Sequence, residues 1–236
     1  MFEIKIDSSK CVSLMDGSAY LDKMIFDSWR YADLSFESGK MYGIISEYGE
    51  GCMYLSYLLG GRVDFGDLQI YFNEKKVTRK DLFRMGWNLE PNRGKYKNKA
   101  VKKSIEEMIQ KGKCEDSFEK IREKFILTEQ RWNRKFFQLS GERWRASAAL
   151  GYAAGKKIFY APYKTSGFYN QLSGAGLIKV LRNLTESGAL VLLPAGSDIF
   201  LKHIVDECVY LRDKEYDIDY LRQLYSDMYG RGDWIS

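Results

Sequence analysis

Hydrophobic and polar positions divide the chain into three blocks. The first block, residues 1 to 78, contains short runs of apolar and β-branched residues of the kind that form strands. These runs are Phe2–Ile6, Lys40–Ile45 and Leu68–Phe72. One helix is predicted after Gly51, where the apolar residues continue without a turn signal.

The second block, residues 79 to about 145, is polar and has helical spacing. Apolar residues at positions 101, 105, 108 and 109 fall on one face of a helix. This spacing predicts an amphipathic helix that packs through a single face.

The third block, residues 146 to 211, alternates helix-type and strand-type segments. Its buried-type strands are Ile158–Ala161 and Ala189–Leu193, which are bounded by Gly and Pro. Alternation of this kind predicts a parallel sheet with helices on both faces. Residues 212 to 236 keep helical spacing and predict a packed terminal helix.

The amino-acid composition excludes several classes of protein and of functional site. The chain has 236 residues, 45% of them hydrophobic, which is enough for one large core with a subdomain. It contains no run of eighteen apolar residues, so no membrane span is predicted. A single histidine, His203, leaves little material for histidine metal sites or Ser-His-Asp chemistry, and we expect no metal site. Four scattered cysteines without a CxxC pair favour a reducing cytoplasm.

The net charge of +5 is concentrated in the middle of the chain. Lys and Arg cluster between Arg79 and Lys124 and again from Arg131 to Arg145. Such clusters can bind nucleic acid or lie near anionic lipid headgroups, or they can be a solvated Lys/Glu helical face. The charge alone leaves these three interpretations open.

A series of motifs in the third block points to a known family. Leu139-Ser140-Gly141-Glu142 precedes a helix-type run to Ala154, the strand Ile158–Ala161 follows, and Thr165-Ser166-Gly167 comes next. This order resembles the ABC-type ATPases. In that family an LSGGE signature loop leads to a strand ending in Asp-Glu and then to Pro-Thr-Ser-Gly-Leu-Asp.

The resemblance extends over residues 1 to 211. Phe36–Ile45 is similar to the strand that feeds the phosphate loop, Ser46–Tyr54 to the loop, Leu55–Leu59 to its helix, and Gly66–Asn73 to a following strand. The resemblance implies a single α/β domain with the P-loop NTPase-like ABC ATPase fold. A mainly parallel central sheet is expected, with an N-terminal antiparallel β part and a helical subdomain.

The resemblance also implies where these parts divide. The RecA-like core would comprise about 1–88 and 146–211. The helical subdomain would cover about 89–145, and the C-terminal helix about 212–236.

The phosphate loop lacks the residues that a working P-loop needs. Such a loop requires glycines for its bend, a Lys on the outer phosphates and a Ser or Thr hydroxyl on Mg²⁺. Only the glycines remain. Glu50 adds a carboxylate, which is adverse beside phosphate. The candidate residues, in chain order, are Gly43, Gly49, Gly51, Cys52 at the lysine position, Met53 at the Ser/Thr position, and Tyr54.

The hydrolytic positions are lost as well. Pro162 stands at the Mg²⁺-supporting aspartate and Tyr163 at the glutamate that polarises water. Glu90 stands at the glutamine of the Q-loop and Gly196 at the switch histidine. We therefore expect a pseudo-ATPase with no catalytic residues and no required cofactor. At most it would bind ATP or ADP weakly, without Mg²⁺-dependent hydrolysis.

The signature loop retains more of its pattern. Ser140 and Gly141 are present, whereas Glu142 replaces the second glycine. In the family this loop contacts the γ-phosphate held by a partner subunit. Alternatively, Ser140 is only the N-cap of a helix over 141–154.

The sequence leaves three functions to compare. The resemblance favours a degenerate ATP-binding subunit of an ABC transporter on the cytoplasmic face of the membrane. It would pair with a second ATPase subunit and with transmembrane permease subunits. The alternative is a soluble ABC-fold regulatory or RNA-interacting protein, although the sequence has no RNA-binding motif. An active ATPase would need Glu47, Glu50 or Glu90 to replace a lost carboxylate, with nothing in place of the loop lysine.

Overall fold

The computed structural model of the chain describes residues 1–7, 12–15, 27–30, 33–46, 51–64, 68–90, 96–111, 114–173 and 176–211. The predicted C-terminal helix over 212–236 lies outside these ranges. No described helix is both long enough and apolar enough to cross a lipid bilayer.

Eleven strands occur in the described ranges and form three sheets. They are β1 (Glu3–Asp7), β2 (Val12–Met15), β3 (Asp27–Arg30), β4 (Leu34–Glu37), β5 (Met41–Ile45), β6 (Gln69–Phe72), β7 (Lys75–Lys76), β8 (Gly86–Asn88), β9 (Ile158–Tyr160), β10 (Leu190–Ala195) and β11 (Glu207–Tyr210). The helices are α1 (Cys52–Leu59), α2 (Arg79–Met85), α3 (Val101–Gln110), α4 (Phe118–Lys124), α5 (Glu129–Trp132), α6 (Arg143–Ala153), α7 (Ser166–Ser173) and α8 (Leu177–Glu186). Short 3₁₀ turns cover Phe136–Gln138 and Leu201–His203.

The central sheet is parallel and has the order β11-β5-β10-β9-β8. Its middle strands, β5, β9 and β10, are buried at every position, as expected for a sheet covered on both faces. A second, antiparallel sheet has the order β4-β1-β6-β7, and β2 pairs with β3 in a separate ribbon. The expected combination of a parallel sheet, an antiparallel N-terminal part and helices is confirmed.

Two hydrophobic clusters fill the two sides of the central sheet. One lies between the parallel sheet and the helices α3, α4, α6 and α8. The other packs α1 against the antiparallel sheet and the opposite face of the parallel sheet. In α3, Val101, Ile105 and Met108 are buried and Ile109 packs against the first cluster, which confirms the predicted apolar face.

Two details differ from the sequence-based expectation. The strand predicted over Lys40–Ile45 is confirmed as β5, but the longer segment Phe36–Ile45, which the resemblance matched to one strand, is split between β4 and β5 by a turn, in which Gly39 has φ 83°. This left-handed value favours glycine and lets the chain pass from the antiparallel to the parallel sheet. In addition, Gly86–Asn88 was expected to be helix-like, but it is the edge strand β8, paired with β9.

Candidate nucleotide-binding site

The candidate phosphate loop lies between β5 and α1, at the carboxyl edge of the parallel sheet. β5 ends at Ile45, and α1 begins at Cys52, which confirms the helix predicted after Gly51, whereas the resemblance placed its start at Leu55. Gly51 precedes the helix with φ 104°, a left-handed conformation that suits glycine. Gly49 and Glu50 lie outside the described residues, as do Glu47 and Tyr48.

Gly43 is a strand residue and not part of the loop bend. It lies in the middle of β5, between Leu193 of β10 and Cys208 of β11. A Cβ at this position would lie 3.4 Å from the Cys208 Sγ atom and from the Leu201 side chain. The contribution of Gly43 is therefore close packing inside the sheet.

Polar groups around Cys52 bond within the loop itself. Cys52 is 1% exposed, and its backbone amide donates a hydrogen bond to Ser46 Oγ at 3.2 Å. Its Sγ atom lies 3.9 Å from the Ser46 carbonyl oxygen. In P-loops, amides of this kind point at phosphate oxygens, whereas this amide has an acceptor on its own chain. A buried thiol also supplies no positive charge at the lysine position.

The two positions after Cys52 belong to the helix. Met53 lies in α1 by its backbone, and its side chain is not among the described parts. The Tyr54 hydroxyl donates to the carbonyl oxygen of Asp64. This bond ties the first turn of α1 to the chain that follows the helix.

Pro162 and Tyr163 follow β9 at the same edge of the sheet. Ala161 and Lys164 flank them and donate backbone hydrogen bonds to Leu192 and Pro194 of β10, at 3.0 and 3.3 Å. Pro162 is buried and Tyr163 is partly buried. The segment is thus held along β10, with a ring and a phenol where carboxylates stand in the family.

Tyr163 and Gly196 are in contact. A Cβ built on Gly196 would lie 2.3 Å from the Tyr163 hydroxyl oxygen and 3.4 Å from the ring carbon that carries it. The Ser46 carbonyl oxygen lies 3.9 Å from the same point. The Tyr163 hydroxyl therefore occupies the space that any side chain at position 196 would need.

Glu90 is joined to Lys164 by an ion pair. Its Oε1 atom lies 3.5 Å from Lys164 Nζ, and the two side chains are 44% and 27% exposed. The Glu90 amide donates to Asn88 Oδ1 at 2.9 Å, and the Lys164 ammonium lies 5.2 Å from the centre of the Phe168 ring. Lys164, which the sequence analysis did not single out, thus already has an anionic partner.

Tyr169 stands at the last aspartate of the family motif and is fully buried. Its hydroxyl donates to the Pro194 carbonyl oxygen at 3.2 Å. Burial raises the pKa of this phenol well above its ordinary value. Tyr169 is therefore a neutral hydrogen-bond donor that joins α7 to β10.

The signature-loop residues form a turn ahead of α6. Ser140 and Gly141 are exposed, and the Arg143 amide donates to the Ser140 carbonyl oxygen at 3.1 Å. The expectation that Ser140 caps a helix over 141–154 is wrong, because α6 begins at Arg143 and Glu142 is its N-cap residue. The two exposed residues remain outside the helix.

The Glu142 carboxylate turns away from this exposed turn and towards residues of α5 and α6. Its Oε1 atom accepts from Arg145 Nη2 at 2.9 Å, and its Oε2 atom accepts from Thr128 Oγ1 at 3.2 Å. Arg131 lies 3.9 Å from the same Oε2 atom. The Glu142 side chain is only 14% exposed, so its charge is largely neutralised inside the protein.

Arg145 is a residue whose role the sequence analysis missed. Its Nη1 atom also donates to the Ile126 carbonyl oxygen at 2.8 Å, and the side chain is 10% exposed. The three-residue spacing between Glu142 and Arg145 on a helix is the signal that could have identified the pair. Within the described ranges, no group of three or more His, Cys, Asp or Glu side chains could hold a metal ion.

Comparison with known proteins gives structural matches only. No family model matches the sequence, and no curated protein matches it. The dimeric structure of MJ0796, a bacterial ABC transporter cassette, is similar with a TM-score of 0.64 and 17% identity, over 88% of this chain and 93% of that chain.

Two further structures give similar values. The ADP conformation of MJ1267, an ATP-binding cassette of an ABC transporter, has a TM-score of 0.65 and 16% identity, over 89% of this chain and 87% of that one. A post-hydrolysis MJ0796 dimer bound to ADP and Pi has a TM-score of 0.63 and 16% identity, over 89% and 94%. The chain therefore has the fold of an ABC transporter ATP-binding cassette.

Proposed function

We propose that the chain is a catalytically inactive ATP-binding subunit of an ABC transporter, working beside an active ATPase subunit. The observation that carries the proposal is the contact between Tyr163 and Gly196. The family resemblance assigns these positions to the glutamate that polarises water and to the switch histidine. Here the Tyr163 phenol fills the space beside Gly196, and neither position offers a base at neutral pH.

The phosphate side of the site supports the same conclusion. The residues present do not fit a Mg²⁺–nucleotide complex, because Cys52 supplies no positive charge and its amide already bonds to Ser46. A phosphate would also compete with Glu90 for Lys164. Nucleotide binding is accordingly weak, and Mg²⁺-dependent hydrolysis is absent.

The signature turn is the part that can still serve a partner. Ser140 and Gly141 are exposed, and Arg145 and Arg131 hold the Glu142 carboxylate away from the turn. This arrangement removes the main electrostatic obstacle to a phosphate approaching the turn. The dimeric structures of MJ0796 support pairing with a second ATPase subunit. Under the same proposal, the chain also binds permease subunits and lies on the cytoplasmic face of the membrane.

The ATPase rate of the assembled complex tests the role of the turn. We expect Ser140→Arg or Gly141→Asp to lower that rate about 100- to 1,000-fold, the range for loss of a transition-state donor, without dissociating the complex. Gln130→Arg, an exposed polar-to-arginine change on α5, is the matched control and should leave the rate unchanged.

Two results would count against the proposal. Unchanged rates in both turn variants would show that this chain touches no nucleotide of its partner. Recovery of the chain with nucleic acid, and without membrane subunits or a second ATPase, would favour the soluble alternative.

A further inference from the structure

A basic ribbon is formed by two short segments, one leading into α3 and one following α5. It consists of residues 97–101 and 134–137, which lie side by side. Ala100 and Lys135 form an antiparallel bridge. Three backbone hydrogen bonds join the two segments: Phe137 to Lys97 at 3.2 Å, Phe136 to Lys99 at 3.2 Å and Val101 to Arg134 at 3.1 Å.

Three of the four cations in the basic ribbon have no compensating acid in the described part of the chain. Lys97, Arg134 and Lys135 are exposed, and neither segment contains Asp or Glu. Lys99 pairs with Glu107 at 2.7 Å. None of the other three cations forms an ion pair with a residue in the described part of the chain. Their charge is therefore directed to solvent.

An exposed aromatic side chain lies within the same basic ribbon. Phe137 is 48% exposed, whereas the adjacent Phe136 is 3% exposed and anchors the ribbon in the core. Cations around an exposed aromatic ring are the combination found on protein surfaces that lie in the headgroup region of a membrane. The cations attract anionic headgroups, and the ring gains free energy by leaving water.

We propose that the basic ribbon binds an anionic phospholipid surface. Single-stranded nucleic acid is usually held in a positively charged groove with stacking platforms along it. This ribbon instead exposes neighbouring residues on two adjacent segments, with a single exposed ring. A flat layer of negative headgroups fits that arrangement better than an extended strand does. The inference concerns a surface that the proposed nucleotide chemistry does not use.

Vesicle co-sedimentation of the full chain tests the proposal. Phosphatidylcholine vesicles are compared with vesicles that contain about 30% phosphatidylserine, a strongly anionic composition. The ribbon variant is Lys97→Glu/Arg134→Glu/Lys135→Glu. The control, Lys75→Glu/Lys76→Glu/Lys80→Glu, makes the same change in net charge at exposed lysines on β7 and α2.

We expect the wild-type chain to bind the anionic vesicles and not the neutral ones, and to lose binding at high salt. The ribbon variant should bind about 100-fold more weakly, since each cation near such a surface contributes roughly 1 kcal/mol. The control variant should stay within about threefold of wild type. Alanine versions of both variants serve if charge reversal prevents folding.

A second pair of variants isolates the aromatic contribution. Phe137→Ser should weaken vesicle binding about tenfold, whereas Phe83→Ser, at a residue that is 52% exposed elsewhere, should not. Three outcomes would overturn the proposal: equal losses in the two charge variants, equal binding to neutral vesicles, or ribbon-dependent binding to a single-stranded RNA oligonucleotide without binding to vesicles.

Discussion

Gly196→Ala tests the contact that closes the candidate site. Gly196 does not have a left-handed φ, so alanine causes no backbone strain there and should by itself add about 0.4–1 kcal/mol through the unfolded state. The new methyl group would, however, lie 2.3 Å from the Tyr163 hydroxyl oxygen. Relieving this overlap requires the ring to move, at a cost of about 1–3 kcal/mol.

The Tyr163→Phe background separates the two contributions. Without the hydroxyl, the nearest atom of residue 163 would be the ring carbon at 3.4 Å, which is a tolerable contact. We therefore expect Gly196→Ala to destabilise the wild-type chain and to be neutral or stabilising in the chain that already carries Tyr163→Phe. The coupling free energy should be about 1–3 kcal/mol. The cycle also subtracts the cost of removing the Tyr163 hydroxyl by itself.

Urea unfolding of the four proteins measures this coupling. A net loss of 1 kcal/mol corresponds to a decrease in Tm of about 2–4 °C for a chain of this size. Equal effects of Gly196→Ala in both backgrounds would contradict this prediction, because they would mean that the Tyr163 hydroxyl does not lie against Gly196.

Buried polar contacts give three further predictions. Arg145→Ala should lower the unfolding free energy by about 3–5 kcal/mol, because it leaves the Glu142 carboxylate partly buried without its closest cation. The control Arg122→Ala removes the ion pair with Glu123 and should cost under about 1 kcal/mol in the same urea assay. Tyr169→Phe should cost about 1 kcal/mol through the lost bond to Pro194, and an unchanged urea midpoint would contradict that bond. Burial raises the pKa of Tyr160 to about 12, whereas phenols in the unfolded chain ionise near pH 10. The stability that the neutral Tyr160 phenol contributes is therefore complete below pH 10 and is lost as the pH rises to 12. Over this range the unfolding free energy should decline less steeply in Tyr160→Phe than in the wild type.

Much of the fold could be predicted because its signals are local. Buried strands such as Leu190–Ala195 are continuous apolar runs, and the single apolar face of α3 follows from helical spacing. The strand Gly86–Asn88 was missed because three residues are too few to show a period. Its pairing with β9 depends on a segment that is distant in sequence.

The internal contacts of the candidate site were less predictable. Motif order indicates which chemical groups are missing, but it does not indicate what fills their space. Tyr163 and Gly196 meet only because β9 and β10 are adjacent and parallel. The bond from Cys52 to Ser46 depends on the conformation of the loop, which its lost motif residues do not specify.

The inward turn of the Glu142 side chain could not be predicted either. The sequence suggested a carboxylate beside the partner's phosphate, since only its position in the motif was visible. Its actual partners come from α5, from the residue before α5 and from α6. Contacts between segments that are distant in the sequence therefore determine where that charge lies.

Steady-state ATP hydrolysis by the purified chain with Mg²⁺ measures whether the candidate site can hydrolyse nucleotide. We predict no turnover above background, and none in Cys52→Lys either, because one restored phosphate contact supplies no carboxylate for the metal or the water. Turnover on the order of 1 per second, lost in Glu90→Gln, Glu47→Gln or Glu50→Gln, would contradict it by identifying a working base in this chain.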